Sequence, residues 1–215
     1  MKPALFASMA VNLFLIVDPI GCIPLFAAIT RSDTPARRRS MILRATIIAF
    51  LVLSFFAIAG RFVLHHFGIG LPAVRIAGGI LMFLIGVEML FGRISRTETT
   101  EPEEKEAAVK EDVSVTPLAI PLLAGPGSIA AVVLFSGTGG DTTGSLYLIA
   151  AIGIVMAASW ALLRTTDAIL RVLGQIGIKV VARVMGLLLL FVATQFVIDG
   201  LLALGILAGT PGPTS

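Results

Sequence analysis

The sequence "LIVDPIGCIPLF" occupies residues 15–26, and "AIPLLAGPGSIAAVV" occupies residues 119–133. Each stretch places proline and glycine inside a long apolar run, and the first also places an acid there, Asp18. Because proline removes a backbone donor and clashes with the preceding turn, both stretches predict an interrupted helix. Backbone groups freed by such a break must be satisfied by protein or water when the helix lies in lipid. The two breaks therefore predict a functional site within a membrane.

The composition of the whole chain is that of a membrane protein. Of its 215 residues, 57% are hydrophobic and 13% are charged, and the mean hydropathy is +1.00. Soluble domains carry about 25% charged residues. Since about 20 apolar residues span a bilayer, we predict six spans: 4–29, 41–64, 71–91, 115–137, 145–164 and 181–206. The single cysteine, Cys22, excludes an intrachain disulfide and a cysteine-based metal cluster.

The distribution of basic residues predicts the orientation of these spans. Thirteen of the sixteen Lys and Arg residues fall in or beside the first, third and fifth connectors. Cytoplasmic connectors carry such an excess, so we place these three in the cytoplasm and both termini on the outer side of the cell (inner) membrane. The same bias explains "ARRR" at 36–39 better than a nucleic-acid patch, and we expect no nucleic-acid partner. The acidic stretch 93–112 is predicted to be a solvated cytoplasmic linker.

Two parts of the chain resemble each other. "VRIAGGILMFL" (74–84) aligns with "ARVMGLLLLFV" (182–192) at an offset of 108 residues, and Pro19 aligns with Pro126 at an offset of 107. We predict repeats at 1–92 and 113–208 within a single membrane domain. Because three spans are an odd number, the second repeat enters from the opposite side. The predicted fold is therefore an all-α membrane protein built as two inverted three-helix repeats, an arrangement typical of secondary transporters.

The breaks predict a binding site because a new helix starts after each of them. A helix start presents free N–H groups and partial positive charge to an anion, and the preceding helix end offers carbonyls to a cation. A small zwitterion carries both charges. Asp18 is also the candidate group for a coupling ion, since acids inside membranes are rarely without function. The candidate substrate-binding residues are Asp18, Pro19, Gly21, Gly125, Pro126, Gly127 and Ser128.

Other polar residues are weaker candidates. Glu88 is close enough to a cytoplasmic end to snorkel, and Asp199 lies toward the outer end of the sixth span. His65 and His66 stand in a connector without a neighbouring acid or cysteine, so we expect no metal there. Spans one and four could instead be re-entrant loops. That arrangement would put the basic fifth connector outside, so the positive-inside rule favours full spans.

Four segments together resemble one family: "DPIGCIP" (18–24), "PLAIPLLAGPGSI" (117–129), "RIAGG" (75–79) and "RVMG…QFVIDG" (183–200). They are similar to the MarC family of six-span bacterial and archaeal membrane proteins, which is similar in outline to the LysE superfamily of exporters. The family name implies multiple antibiotic resistance, and a member called SnatA is linked to uptake of small neutral amino acids. The resemblance implies that the residues at both breaks, together with Pro24, are its characteristic positions.

We therefore predict a secondary transporter of small neutral amino acids or similar small zwitterions. The alternative is a membrane protein with a stress- or resistance-associated role and no transport activity. We expect neither an enzyme nor a cofactor, because the sequence shows no HExxH pair and no serine or cysteine with a histidine or lysine partner at a recognisable spacing. It has no Walker motif, so we expect that ATP does not drive it directly. Its partners are predicted to be the small-molecule substrate and the lipid bilayer. The substrate, the direction of transport, the coupling ion and the existence of a homo-oligomer stay open.

Overall fold

The structure is a computed structural model that describes residues 3–30, 33–92, 114–138 and 142–206. The predicted acidic linker at 93–112 lies outside the described residues. All regular elements in the described ranges are helical, as predicted. In chain order they are α1 (Pro3–Val17), α2 (Cys22–Ile29), α3 (Pro35–His66), α4 (Leu71–Leu90), a π-helix (Ser114–Leu123), α5 (Pro126–Thr138), α6 (Thr142–Arg164) and α7 (Thr166–Ala203).

Four of these helices contain a segment that is long and apolar enough to span a membrane. The segments are Pro35–His66, Leu71–Leu90, Gly144–Arg164 within α6 and Ile176–Ala203 within α7. The pair Phe6–Val17 and Cys22–Ile29 would form a fifth span with a 44° bend. The predicted fourth span coincides with the π-helix and α5, whose apolar part Pro126–Ser136 is too short to cross alone. The described residues thus support four to five spans, and the sixth stays a prediction.

Two helices begin earlier than the hydropathy pattern predicted. Helix α3, which corresponds to the second predicted span, begins at Pro35 rather than 41, so the arginines at 37–39 lie in its first turns. Thr34 caps it, because its Oγ1 accepts a hydrogen bond of 3.4 Å from the amide of Arg37. Similarly, α7 begins at Thr166 rather than 181, and a non-helical Gly174 (φ 64°) kinks it before the apolar part. Basic residues lower the hydropathy near both helix starts, so a hydropathy criterion does not detect them.

Small residues bring α4 and α7 into close antiparallel contact. A Cβ on Gly86 would lie 2.9 Å from the carbonyl oxygen of Gly186, and one on Gly79 would lie 2.8 Å from that of Ala193. Membrane helices associate through such close packing because lipid supplies no hydrophobic force between them. The glycines therefore allow the most extensive helix pair in the described part of the chain.

The core of the protein is an apolar cluster that joins α1, α2, α3, the π-helix and α6. Its fully buried members include Leu13, Phe26, Leu53, Leu118 and Ile152. Many large apolar side chains on the outside are exposed, among them Phe62, Phe91, Ile176 and Phe191. An apolar exterior of this kind is what a bilayer requires. The cluster also contains Val17, Cys22 and Ala124, so both breaks adjoin the same core.

Candidate functional site

The first break is a turn built around Asp18. Its backbone has φ +45°, a left-handed conformation in which Asp is tolerated better than most residues. Its carboxylate, in a residue only 8% exposed, accepts a hydrogen bond of 3.1 Å from the amide of Gly21. Asp at the first position, proline at the second and glycine at the fourth are typical of a tight turn. The segment Asp18–Gly21 thus has a structural reason for its residues that the sequence prediction did not consider.

This turn uses the N–H groups at the start of α2. The amide of Gly21 donates to the Asp18 side chain. Cys22 donates to the carbonyl of Asp18 at 3.3 Å and Ile23 to that of Ile20 at 3.1 Å. The next residue, Pro24, has no N–H. The first three of these positions therefore have their N–H groups hydrogen-bonded and the fourth has none, so the anion site at this helix start stays a prediction.

The second break has a different construction. The amide of Ala124 donates to the carbonyl of Ala119 at 2.8 Å, which ends the π-helix, and Ile129 donates to Gly125 at 2.9 Å, which starts α5. Between them, the amides of Gly127 and Ser128 have no acceptor within their own helix, because they belong to its first turn. Ser128 is 2% exposed. Gly125 stands where the first repeat has Asp18, so no carboxylate caps this helix start from that position.

Helix α4 contacts both breaks. A Cβ on Gly127 would lie 2.8 Å from Cγ of Met82 and 3.7 Å from Cγ2 of Ile16, and one on Gly21 would lie 3.0 Å from Cε of Met89. Met82 and Met89 are two turns apart, about 10 Å along the helix axis. The structure therefore brings the two breaks to one helix but at different heights along it, with Ile16 of α1 beside the second break.

The weaker candidates lie elsewhere. Asp199 accepts a hydrogen bond of 2.7 Å from Nε2 of Gln195 on its own helix, and Glu88 is half-buried near the end of α4. His66 stacks on Phe62 with 6.3 Å between ring centroids. Within the described ranges no group of three or more His, Cys, Asp or Glu residues could hold a metal ion. The contacts of Asp199 and His66 lie outside both breaks.

Sequence reasoning missed a second polar region, at the junction of α6 and α7. Here Arg38 forms an ion pair of 3.0 Å with Asp167, which is 129 residues away in the chain. Thr166 beside it is buried, and its hydroxyl has no hydrogen-bond partner among the residues that the structure describes. The only sequence signal was the cluster of basic residues, which we assigned to topology alone.

Comparison with known proteins identifies similar sequences along almost the whole chain. A family model described as "MarC family integral membrane protein" matches residues 4–204. The chain is 36% identical to the UPF0056 membrane protein YhcE of Escherichia coli over 192 residues, 89% of each chain. It is 35% identical to the UPF0056 inner membrane protein YhgN of the same organism, over 90% of this chain and 94% of the relative.

Relatives occur beyond this organism. A UPF0056 membrane protein of Aquifex aeolicus is 35% identical over 198 residues, which cover 92% of each chain. No solved structure matches the chain.

Proposed function

Since the chain belongs to the MarC family of integral membrane proteins, we propose that it is a secondary transporter of small neutral amino acids or similar small zwitterions. The names of the relatives describe membrane proteins without a stated substrate. The proposal therefore rests on the chemistry of the two breaks. The substrate carboxylate binds at the second break. Asp18 of the first break supplies the negative charge that the cationic group of the substrate requires.

The difference between the two breaks carries this proposal. The donors of the first break are occupied by Asp18 and its neighbours. The second break has glycine at the equivalent position and two first-turn amides, those of Gly127 and Ser128, that its own helix cannot satisfy. A helix start of this kind favours an anionic group. One break thus suits a carboxylate, and the other holds a carboxylate of its own.

The contacts between α4 and α7 support the proposed inverted repeats. Gly86 contacts Gly186. Adding the repeat offset of 108 to the first position gives residue 194, and subtracting it from the second gives residue 78, so symmetric repeats should bring these two positions together as well. The adjoining pair Gly79 and Ala193 is in contact. A two-fold axis in the membrane plane requires antiparallel pairing of this kind, whereas an axis along the membrane normal requires parallel pairing. The contacts therefore favour the inverted architecture.

We further propose that the protein lies in the inner membrane with both termini outside. The printed name of YhgN places that relative in an inner membrane. The basic first turns of α3 and the Arg164 end of α6 would then face the cytoplasm, as the positive-inside rule expects.

Uptake into proteoliposomes tests the proposal. Purified protein should accumulate labelled glycine or alanine when an ion gradient is applied, and decarboxylated analogues should compete poorly. Ser128→Ala should weaken uptake by tenfold or less, since one hydrogen bond contributes about 0.5–1.5 kcal/mol. Gly127→Leu should abolish it, because even a Cβ there would press on Met82. If a decarboxylated analogue competed with the labelled substrate as well as the unlabelled amino acid does, a carboxylate site at the second break would be contradicted.

One observation favours the alternative, a membrane protein without transport activity. Asp18 is buried and already hydrogen-bonded within its turn. A scaffold needs nothing more from this residue, whereas a transporter must expose it to water in at least one state. Modification of a cysteine introduced at Ile20 by a water-soluble thiol reagent would separate the two functions, in a background that carries Cys22→Ser. Modification that increases with substrate or with an ion gradient indicates transport.

A further inference from the structure

A cavity of about 70 Å³ lies where the first turns of α3 meet the junction between α6 and α7. Its charged lining residues are three arginines and one acid: Arg38, Arg39, Arg164 and Asp167. Three cations against one anion leave an excess of two positive charges. Arginine is the residue that best matches the geometry of a phosphate group. The cavity therefore has the charge of an anion site, and it lies apart from both helix breaks.

The three arginines are in different states. Arg38 is held in place, because its Nη1 lies 3.0 Å from Oδ1 of Asp167 and its Nε donates to the carbonyl of Thr30 at 2.8 Å. Arg39 has no ion pair among the described residues. Arg164 lies over the ring of Trp160, with Cζ 5.1 Å from the centroid. Arg39 and Arg164 thus keep donors available for a ligand.

Thr166 supplies an independent indication that a ligand binds here. It lines the cavity, is 3% exposed, and has a buried hydroxyl without a hydrogen-bond partner in the described part of the chain. Such a group is costly and calls for an explanation. Thr166 also begins α7, whose N-cap residue Thr165 makes no side-chain hydrogen bond to the helix. The hydroxyl, the first-turn amides and the arginines are all hydrogen-bond donors that suit phosphate.

A second cavity, of about 310 Å³, indicates which molecule carries the phosphate. It shares Arg39, Ile42 and Arg164 with the first cavity and extends over Leu43 and Trp160. Leu43 is exposed on the apolar outside of α3. Tryptophan is enriched where membrane proteins meet the headgroup region. The paired cavities are thus polar at one end and apolar at the other, as a phospholipid is.

We propose that these two cavities form a binding site for an anionic phospholipid. Its phosphate lies among Arg39, Arg164 and Thr166, and its glycerol and acyl chains extend along Trp160 and Leu43. Basic pockets between helices at the cytoplasmic side of a membrane bind headgroups in this way. The site does not depend on the proposed transport activity, because it contains none of the residues of the two breaks.

Lipid titration of the full-length protein tests the site. Delipidated protein in neutral detergent is titrated with phosphatidylglycerol or phosphatidylcholine, and binding is followed by native mass spectrometry and by the melting temperature. Phosphatidylglycerol should bind and raise the melting temperature more than phosphatidylcholine. Arg39→Gln should weaken its binding about tenfold or more, since bonds between charged partners are the strong ones. Arg39→Lys, which keeps the charge, should retain part of the affinity.

Arg171→Gln is the matched control, because it removes an exposed charge from α7 outside both cavities. It should bind phosphatidylglycerol like the unaltered protein. Equal loss of binding in Arg39→Gln and Arg171→Gln would show a non-specific attraction and overturn the site.

Two further comparisons distinguish the sources of phosphate and the role of Thr166. Inorganic phosphate and glycerol 3-phosphate should not raise the melting temperature at concentrations where the lipid does. Stabilisation by either that equals the lipid's would overturn the assignment to a lipid. Thr166→Val should weaken lipid binding without lowering the melting temperature of lipid-free protein, because it removes an unsatisfied hydroxyl. An equal decrease of the melting temperature with and without lipid would mean that Thr166 is only structural.

Discussion

The amide nitrogen of Gly21 lies 3.1 Å from Oδ1 of Asp18, and this hydrogen bond closes the turn that separates α1 from α2. The two residues depend on each other in a second way. A Cβ on Gly21 would overlap the carboxylate of Asp18, so only glycine leaves room for it. The turn therefore requires both residues together, and a substitution at either should affect it.

Asp18→Asn should keep the turn and remove the charge. Asparagine retains an oxygen acceptor and also tolerates a left-handed backbone, so the protein should fold with little loss of stability. Asp18→Ala should cost about 2 kcal/mol or more, because the hydrogen bond from the Gly21 amide is lost and alanine is strained at φ +45°. Unfolding of both variants in detergent measures this difference.

The same pair of variants tests coupling in the transport assay. If Asp18 carries the coupling ion, Asp18→Asn should lose gradient-driven accumulation although it folds. Accumulation at the level of the unaltered protein would leave Asp18 with a structural role only.

Gly21→Ala should destabilise the protein by about 1–3 kcal/mol, the range for overpacking a core. Its Cβ would meet the Asp18 carboxylate and lie 3.0 Å from Cε of Met89. Gly153→Ala is the control, because there the nearest atom is Cε2 of Phe50 at an ordinary 3.7 Å. That change should be neutral or stabilising, since alanine favours a helix. Similar melting temperatures for the two variants would contradict the geometry of the turn.

Gly86→Ala should separate α4 from α7. The new Cβ would lie 2.9 Å from the carbonyl oxygen of Gly186, and a backbone atom cannot move aside as the end of a side chain can. We expect a loss of about 1–3 kcal/mol, measured by unfolding in detergent. Ala77→Leu, at an exposed position of the same helix, should have little effect. A larger loss for Ala77→Leu would be inconsistent with a glycine-mediated crossing.

Asp167→Asn should have opposite effects on stability and on lipid binding. Its ion pair with Arg38 is partly exposed, with side-chain exposures of 58% and 19%, so its removal should cost about 0.2–1 kcal/mol. Loss of the acid that lines the cavity should strengthen the binding of phosphatidylglycerol. Weaker lipid binding in this variant would mean that the position of Arg38 matters more than the net charge.

Cysteine labelling of cells tests the proposed orientation. In a Cys22→Ser background, a cysteine at Phe67 should react with a membrane-impermeant thiol reagent added outside, because this position follows α3 and is exposed. A cysteine at Thr34, before α3, should react only after the membrane is permeabilised. Labelling of Thr34→Cys in intact cells would reverse the orientation, and labelling of both positions from outside would contradict a span by α3.

Much of the fold could be predicted because its signals are local. Apolar runs of about 20 residues are read directly from the chain, and the observed candidate spans agree with five of the predicted stretches, counting the bent pair as one. Proline and glycine likewise act on their immediate neighbours, so both helix interruptions occur where the sequence predicted them. The start of α3 at a Thr-Pro pair was equally local and could have been recognised.

The candidate site was predicted only in outline. Both interruptions occur at the predicted residues, but the sequence analysis did not foresee the hydrogen bond from the Gly21 amide to Asp18. The charge of Asp18 points to a site, but Asp, Pro and Gly at these positions also form a turn. The first helix start has its donors occupied by that hydrogen bond together with the backbone bonds of Cys22 and Ile23.

The sequence by itself determined that the chain is a helical membrane protein, where its helices break, and which connectors carry the basic residues. These properties follow from the composition and from short stretches of neighbouring residues. Only the tertiary structure decided that α4 contacts both breaks, and that Arg38 meets Asp167 across 129 residues of chain beside the buried Thr166. The contact of α4 with both breaks depends on how closely Gly21 and Gly127 let the helices approach, and the ion pair depends on how α3 packs against α7. No local property of the chain encodes that distance.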